Sequence, residues 1–309
     1  MPINIEEVIH RISDWKGKSV IFAPLSGGLT NTNYRVEVEG QPFFVRIPGP
    51  KTELLAVDRK NEVFNTKAAA QAGVGPKVVY HLPEYDVMVL EFIVGETMSN
   101  ARLQAPGMPG RIARSIKMLH AGPRFLTDFN MFRLTEFYLD ICKQYEVTIP
   151  ERYPERMPAV YQIEKAMSAR PLPTVPCNND LLAENYIDDG SLLRLIDFEY
   201  SGNNDPCFEL GNTCQELGYD ENQIRELCAA YFGEATPSRL ARMKLNMIMS
   251  DVGWALWAAI QAKISTIDFD FWGWATERWG RAEAKMDSRE FPTWLDNVQK
   301  APWFLIADC

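Results

Sequence analysis

The first third of the chain alternates. In 33–40, "NYRVEVEG", Tyr34, Val36 and Val38 fall on one side and Arg35, Glu37 and Glu39 on the other, the two-residue period of a strand with one face in water. Gly40 then punctuates the chain before the apolar run "FFVRI" at 43–47, and the pair predicts a hairpin. Residues 58–72, "DRKNEVFNTKAAAQA", are rich in helix formers, lack Gly and Pro, and stop at Gly73, which predicts a helix. Two more strands are expected in "PKVVYHL" and "DVMVLEFIV".

Beyond Gly95 the texture changes. Long stretches such as "RIARSIKMLHAG" and "FNMFRLTEFYLDICKQY" have helical spacing, so a lobe boundary is expected near residues 93–97. The predicted fold class is α+β: a small N-terminal sheet lobe with one helix over 1–94, and a larger, mainly helical lobe over 95–309.

Composition narrows the classes. With 309 residues, 46% hydrophobic and 24% charged, the chain has the balance of a globular protein with a large core. Its net charge of −9 argues against a nucleic-acid surface and makes a small ligand the expected partner. The N-terminal "MPINIEEVIH" has no basic-then-apolar leader. The most apolar window, "NMIMSDVGWALWAAIQAKI", is interrupted by Asp251 and Gln261 and reads as a buried helix, so no membrane span is expected. Six cysteines without C-x-x-C spacing read as reduced thiols, and the expected location is the cytoplasm.

Candidate chemistry begins at 176–200, "PCNNDLLAENYIDDGSLLRLIDFEY". "NYI" and "LLRLIDF" are short strands joined by a turn at Asp189-Gly190. Pairing them folds Asp197 back toward 182–185, so Asp180, Asn185 and Asp197 converge. Two hard oxygen donors, Asn185 and Asp197, suit Mg²⁺, which leaves much of its shell to water and phosphate. Asp180 is then free to act as base in a kinase-type phosphoryl transfer. The competing reading is that Asp and Asn gather at turns for backbone reasons alone.

Other segments add to this. "PLSGGLTNTNYRV" is a Gly-rich turn in which Ser26, Gly27, Gly28, Thr30 and Asn31 offer amides and small polar groups to phosphates, or else merely reverse the chain. Arg46 lies within an apolar run and needs a partner, for which Glu62 on the following helix is the candidate; a plain surface pair is the alternative. Seven of the eight tryptophans lie between Trp254 and Trp303, and Trp254 and Trp257 share a helix face, as either core or ligand box.

Six segments in order, "SGGLTNTNYRV", "FFVRIPG", "DRKNEVF", "NDLLAEN", "LIDFEYSGNNDPCFELGN" and "WALWAAIQAKIS", resemble the choline/ethanolamine kinase family, within the aminoglycoside-phosphotransferase and protein-kinase-like group. The resemblance covers roughly residues 25–287. It implies a two-lobed kinase-like fold, ATP, Mg²⁺ and transfer of the γ-phosphate to a small amino alcohol. By motif, Asp180 resembles the catalytic base, Asn185 and Asp197 the metal ligands, and Arg46 with Glu62 the strand–helix pair. Glu91, Phe92 and Ile93 resemble the hinge beside adenine. Trp254, Trp257 and Trp274 resemble rings that enclose a quaternary ammonium, with Tyr200 and Glu216 facing the same site. Aromatic faces attract a methylated cation that cannot hydrogen-bond, so choline is the expected acceptor. Ethanolamine or an aminoglycoside, a nucleotide- or amine-binding pseudokinase, and a homodimer stay open. One departure is plain: Asn178 stands where the family usually has His, a scaffold position whose hydrogen bonds an Asn has the donors to replace.

Overall fold

The computed structural model describes residues 3–25 and 28–300. Helix α1 (Ile5–Arg11) opens the chain, although the alternation of the first ninety residues predicts mostly strands and one helix. Its cause is local: the Asn4 side chain accepts from Glu7 N at 2.8 Å while Glu7 reaches back to Asn4 N, a reciprocal cap that starts the helix. Ile5, Val8 and Ile12, at helical spacing, then cover one face of the sheet.

That sheet is antiparallel in the order β1-β2-β3-β5-β4 (Val20–Leu25, Asn31–Val38, Gln41–Pro48, Val87–Glu91 and Val78–Leu82 respectively). The β2–β3 hairpin turns at Glu39-Gly40, as the alternation requires. Strand β3 presents Val45 and Ile47 to α1 and sends Phe44 and Arg46 to the opposite face, where α2 (Arg59–Gln71) packs. Asp58 caps α2 by accepting from Lys60 N and Asn61 N. The alternation of β3 thus delivers Arg46 to the helix that carries Glu62.

After the sheet the chain forms β6 (Glu96–Thr97), then α3 (Asn100–Leu103), α4 (Met108–His120), α5 (Met131–Gln144) and α6 (Tyr153–Ser168). Four short strands follow: β7 (Val175–Cys177), β8 (Tyr186–Asp188), β9 (Leu193–Leu195) and β10 (Gly202–Asn204). They form a β6-β8-β9 sheet and a β7-β10 pair. Helices α7 (Pro206–Glu216), α8 (Glu221–Phe232), α9 (Pro237–Ile264), α10 (Phe271–Met286) and α11 (Phe291–Asn297) complete the body.

The 28-residue α9 is its spine, and it is buried along most of its length, as the interrupted apolar window predicts. Gly211 lets α7 approach it closely, since a Cβ there would lie 2.6 Å from the Met243 carbonyl. The five described cysteines are buried free thiols. No helix among the described residues is long and apolar enough to cross a membrane.

Candidate active site

Strand β7 runs into the loop 178–185, and α7 holds that loop from behind. Glu209 accepts the Asn178 and Asn179 amides at 2.8 and 2.7 Å, and Asn212, one helical turn on, accepts Leu181 N at 2.9 Å. Asn179 takes a left-handed φ of +70° and ties its side chain to the Tyr200 carbonyl at 3.0 Å. The hairpin turn at 189–192 is closed by Asp189, whose side chain accepts from Ser191 N and Leu192 N. Strand pairing continues past it: Ile196 N donates to the Asn185 carbonyl at 3.0 Å, which sets Asp197 beside Asn185. Asp180, Asn185 and Asp197 therefore line one wall of a single cleft of about 660 Å³.

The electrostatics of that wall are unusual. Burial, then the charges of Glu216, Glu199 and Glu209, push the Asp180 carboxyl up to about 7, against the pull of Arg278. Asp197, open to the cleft, is also raised well above the ordinary carboxylate range, by its deep placement and then by Glu199, Glu62 and Asp180. Asn185 donates its Nδ2 to the Asp180 carbonyl at 2.7 Å, leaving Oδ1 as an acceptor. A hard oxygen pair set in an excess of negative charge fits a divalent cation such as Mg²⁺.

Across the cleft lie Gly28, Thr30 and Asn31, while Ser26 and Gly27 fall outside the described residues. Arg46, 4% exposed, forms a buried ion pair with Glu62, so the surface-pair alternative does not hold. Two partners unforeseen from sequence join them: Arg59, at 2.8 Å from Glu62, and Glu199, at 3.2 Å from Arg59. Glu91, Phe92 and Ile93 also line the cleft, beside the apolar walls of Phe44, Met88 and Leu90. The Glu91 carboxylate is engaged by Arg194 at 3.3 Å.

Tyr200, Trp254, Trp257 and Trp274 line the remaining part of the cleft. Trp257 Nε1 donates to the Tyr200 hydroxyl at 2.6 Å, and Trp254 meets the Tyr200 ring edge-on at 4.9 Å. Trp257 and Trp274 are nearly perpendicular at 5.8 Å. Trp254 and Trp257 also belong to the core around α9, so core and cleft wall are one feature here. Glu216 departs from expectation. It is not on the cleft wall; both its oxygens are held by Arg278, at 2.6 and 2.8 Å. Arg278 itself lines the cleft and lies 4.1 Å from the Trp274 ring centroid. Its position in "FWGWATERW" gave no distinguishing signal, because a helical Arg ordinarily faces water.

An antiparallel sheet over a helical body, with Asp180, Asn185 and Asp197 gathered in the cleft between them, defines a phosphotransferase of the protein-kinase-like class. The family model for choline/ethanolamine kinase matches residues 22–231, and the chain belongs to that family. It is 28% identical to ethanolamine kinase 1 of Mus musculus, over 88% of this chain and 85% of that one. Its fold superposes on a choline/ethanolamine kinase family protein from Mesorhizobium loti with a TM-score of 0.84 and 34% identity, covering 96% of this chain and 98% of that one. The choline kinase LicA from Streptococcus pneumoniae shares the fold, with a TM-score of 0.78 and 24% identity over 91% and 98% of the two chains. The chain is thus a phosphotransferase acting on the alcohol group of a small molecule.

Proposed function

We propose that the protein transfers the γ-phosphoryl group of ATP to the hydroxyl of choline, with Mg²⁺ held by Asn185 and Asp197. The observation that carries this reading is the adjacency, in one cleft, of Asp180 to both the Asn185–Asp197 pair and the Tyr200, Trp254, Trp257 and Trp274 rings. The residues 1–94 contribute the nucleotide side, through Gly28, Thr30, Asn31, Arg46 and the Glu91–Ile93 hinge, and 95–309 the acceptor side. Bound Mg²⁺ supplies neutralisation of phosphate charge. Asp180 accepts the hydroxyl proton as the acceptor oxygen bonds to the γ-phosphorus and the bond to the departing ADP oxygen breaks.

The rings favour choline. A trimethylated head has no N–H to donate and is recognised by ring faces, whereas ethanolamine has three donors and seeks free carboxylates. Glu216 is not free, since Arg278 takes both its oxygens. The similarity to a mouse ethanolamine kinase supports ethanolamine as the second reading. ATP-dependent phosphorylation of choline, ethanolamine and an aminoglycoside, run in parallel, tests this. The expected order is choline above ethanolamine, with no turnover of the aminoglycoside; a preference for ethanolamine would leave the kinase standing and overturn the acceptor.

A further inference from the structure

The structure assigns to Arg59 the role of a positioning residue that fixes the phosphate-facing segment 28–31 before nucleotide binds. One guanidinium reaches three separate parts of the fold. Its Nη1 donates to Glu62 at 2.8 Å, on its own helix, and to Glu199 at 3.2 Å, two residues past Asp197. Its Nη2 donates to Asn31 Oδ1 at 2.9 Å, at the start of β2.

Glu199 closes the arrangement from the other side. It accepts from Thr30 Oγ1 at 2.8 Å and from Asn31 Nδ2 at 3.0 Å. The charges then alternate, Arg46, Glu62, Arg59, Glu199, in a chain that crosses from β3 through α2 to the segment bearing Asp197. All four are buried, with exposures of 4, 1, 8 and 6%. A buried carboxylate that loses its cation is strongly unfavourable and turns toward water or other donors. Without Arg59, Glu199 keeps two neutral donors among the described residues, and segment 28–31 loses both its own bond to the guanidinium and a fixed acceptor. Glu62 likewise loses one of two cations, so the placement of Arg46 also depends on Arg59.

The consequence for catalysis rests on the nucleotide reading proposed above, while the ordering of the segment does not. The test therefore has two arms, both on the full chain. Amide hydrogen exchange of the ligand-free protein is compared between wild type and Arg59→Met. Exchange over 28–34 is expected to rise about tenfold or more, with 87–91 in the sheet centre unchanged. ATP affinity, measured by calorimetry with Mg²⁺, is expected to fall about tenfold while the KM for the acceptor moves less than threefold, a split that general destabilisation does not produce. Arg59→Lys keeps the charge but not the fork, folds if the methionine variant does not, and is expected to be intermediate in both arms. Unchanged exchange over 28–34 in either variant, or equal loss of ATP and acceptor affinity, overturns the role. If exchange responds as expected but the wild type binds no ATP, the positioning role survives and the nucleotide reading falls.

Discussion

The side-chain amide of Asn178 donates to the backbone carbonyl of Asp197 at 2.8 Å, and to that of Ile196 at 3.1 Å. Asn178 Oδ1 at the same time accepts Asp180 N at 3.1 Å. One uncharged residue thus ties the loop bearing Asp180 to the strand end bearing Asp197, and holds Asp197 in a left-handed conformation with φ +58°. This is the position at which the family usually has His.

Because its work is done by hydrogen bonds to backbone, Asn178→His is expected to stay within about tenfold of wild-type activity, near 1.4 kcal/mol in barrier. Asn178→Leu, which removes the donor to two part-buried carbonyls, is expected to lose more than that in kcat. Steady-state kinetics of both variants check this; a large gain in the histidine variant would mark the natural protein as impaired.

For the metal, Asp197→Ala is expected to raise the Mg²⁺ concentration needed for ATP binding more than Asn185→Ala does. A carboxylate offers the cation a full charge and an amide only a dipole. Calorimetric Mg²⁺ titrations at fixed ATP make the comparison, and equal defects would reverse the ranking.

Glu216 accepts from both terminal nitrogens of Arg278. Arg278 is 1% exposed and Asp251 lies 3.6 Å from its Nη1, so Glu216→Gln is expected to cost about 1–3 kcal/mol of stability, with Asp251 still compensating part of the buried charge. Denaturant unfolding measures it. Wild-type stability with a raised KM for the acceptor would instead give Glu216 a direct contact.

Trp254 is both core and cleft wall, so Trp254→Ala is expected to cost about 3–5 kcal/mol of stability whatever else it does. Trp254→Phe keeps most of the volume and weakens an aromatic face whose whole attraction for a desolvated cation is about 0.5–2 kcal/mol. It is expected to raise the KM for choline more than for ethanolamine. Equal responses would leave Trp254 as packing alone.

Much of this site was legible because its geometry is local. The Asp189-Gly190 turn and the period of two flanking strands bring Asp197 to Asn185, and the alternation of β3 points Arg46 at the helix carrying Glu62. The Arg59–Glu199 bond was not legible, because it joins residues 140 apart in sequence and each sits in a motif already assigned to a neighbour. Glu209 and Asn212 escaped because a helix face that binds backbone amides leaves no periodic signature. Helix α1 was readable in principle, since Asn4 and Glu7 have capping-box spacing and Ile5, Val8 and Ile12 the helical period, but the strong strand pattern that follows outweighed seven residues.

In the proposed reaction Asp180 activates the hydroxyl of an amino alcohol. The most direct measurement is ATP-dependent phosphorylation of choline by wild type and Asp180→Asn, paired with calorimetric ATP binding to both. The expected result is a kcat lower by about 10²-fold or more in the variant, in the range of general-base effects, with nucleotide affinity little changed. Wild-type turnover by Asp180→Asn would contradict it.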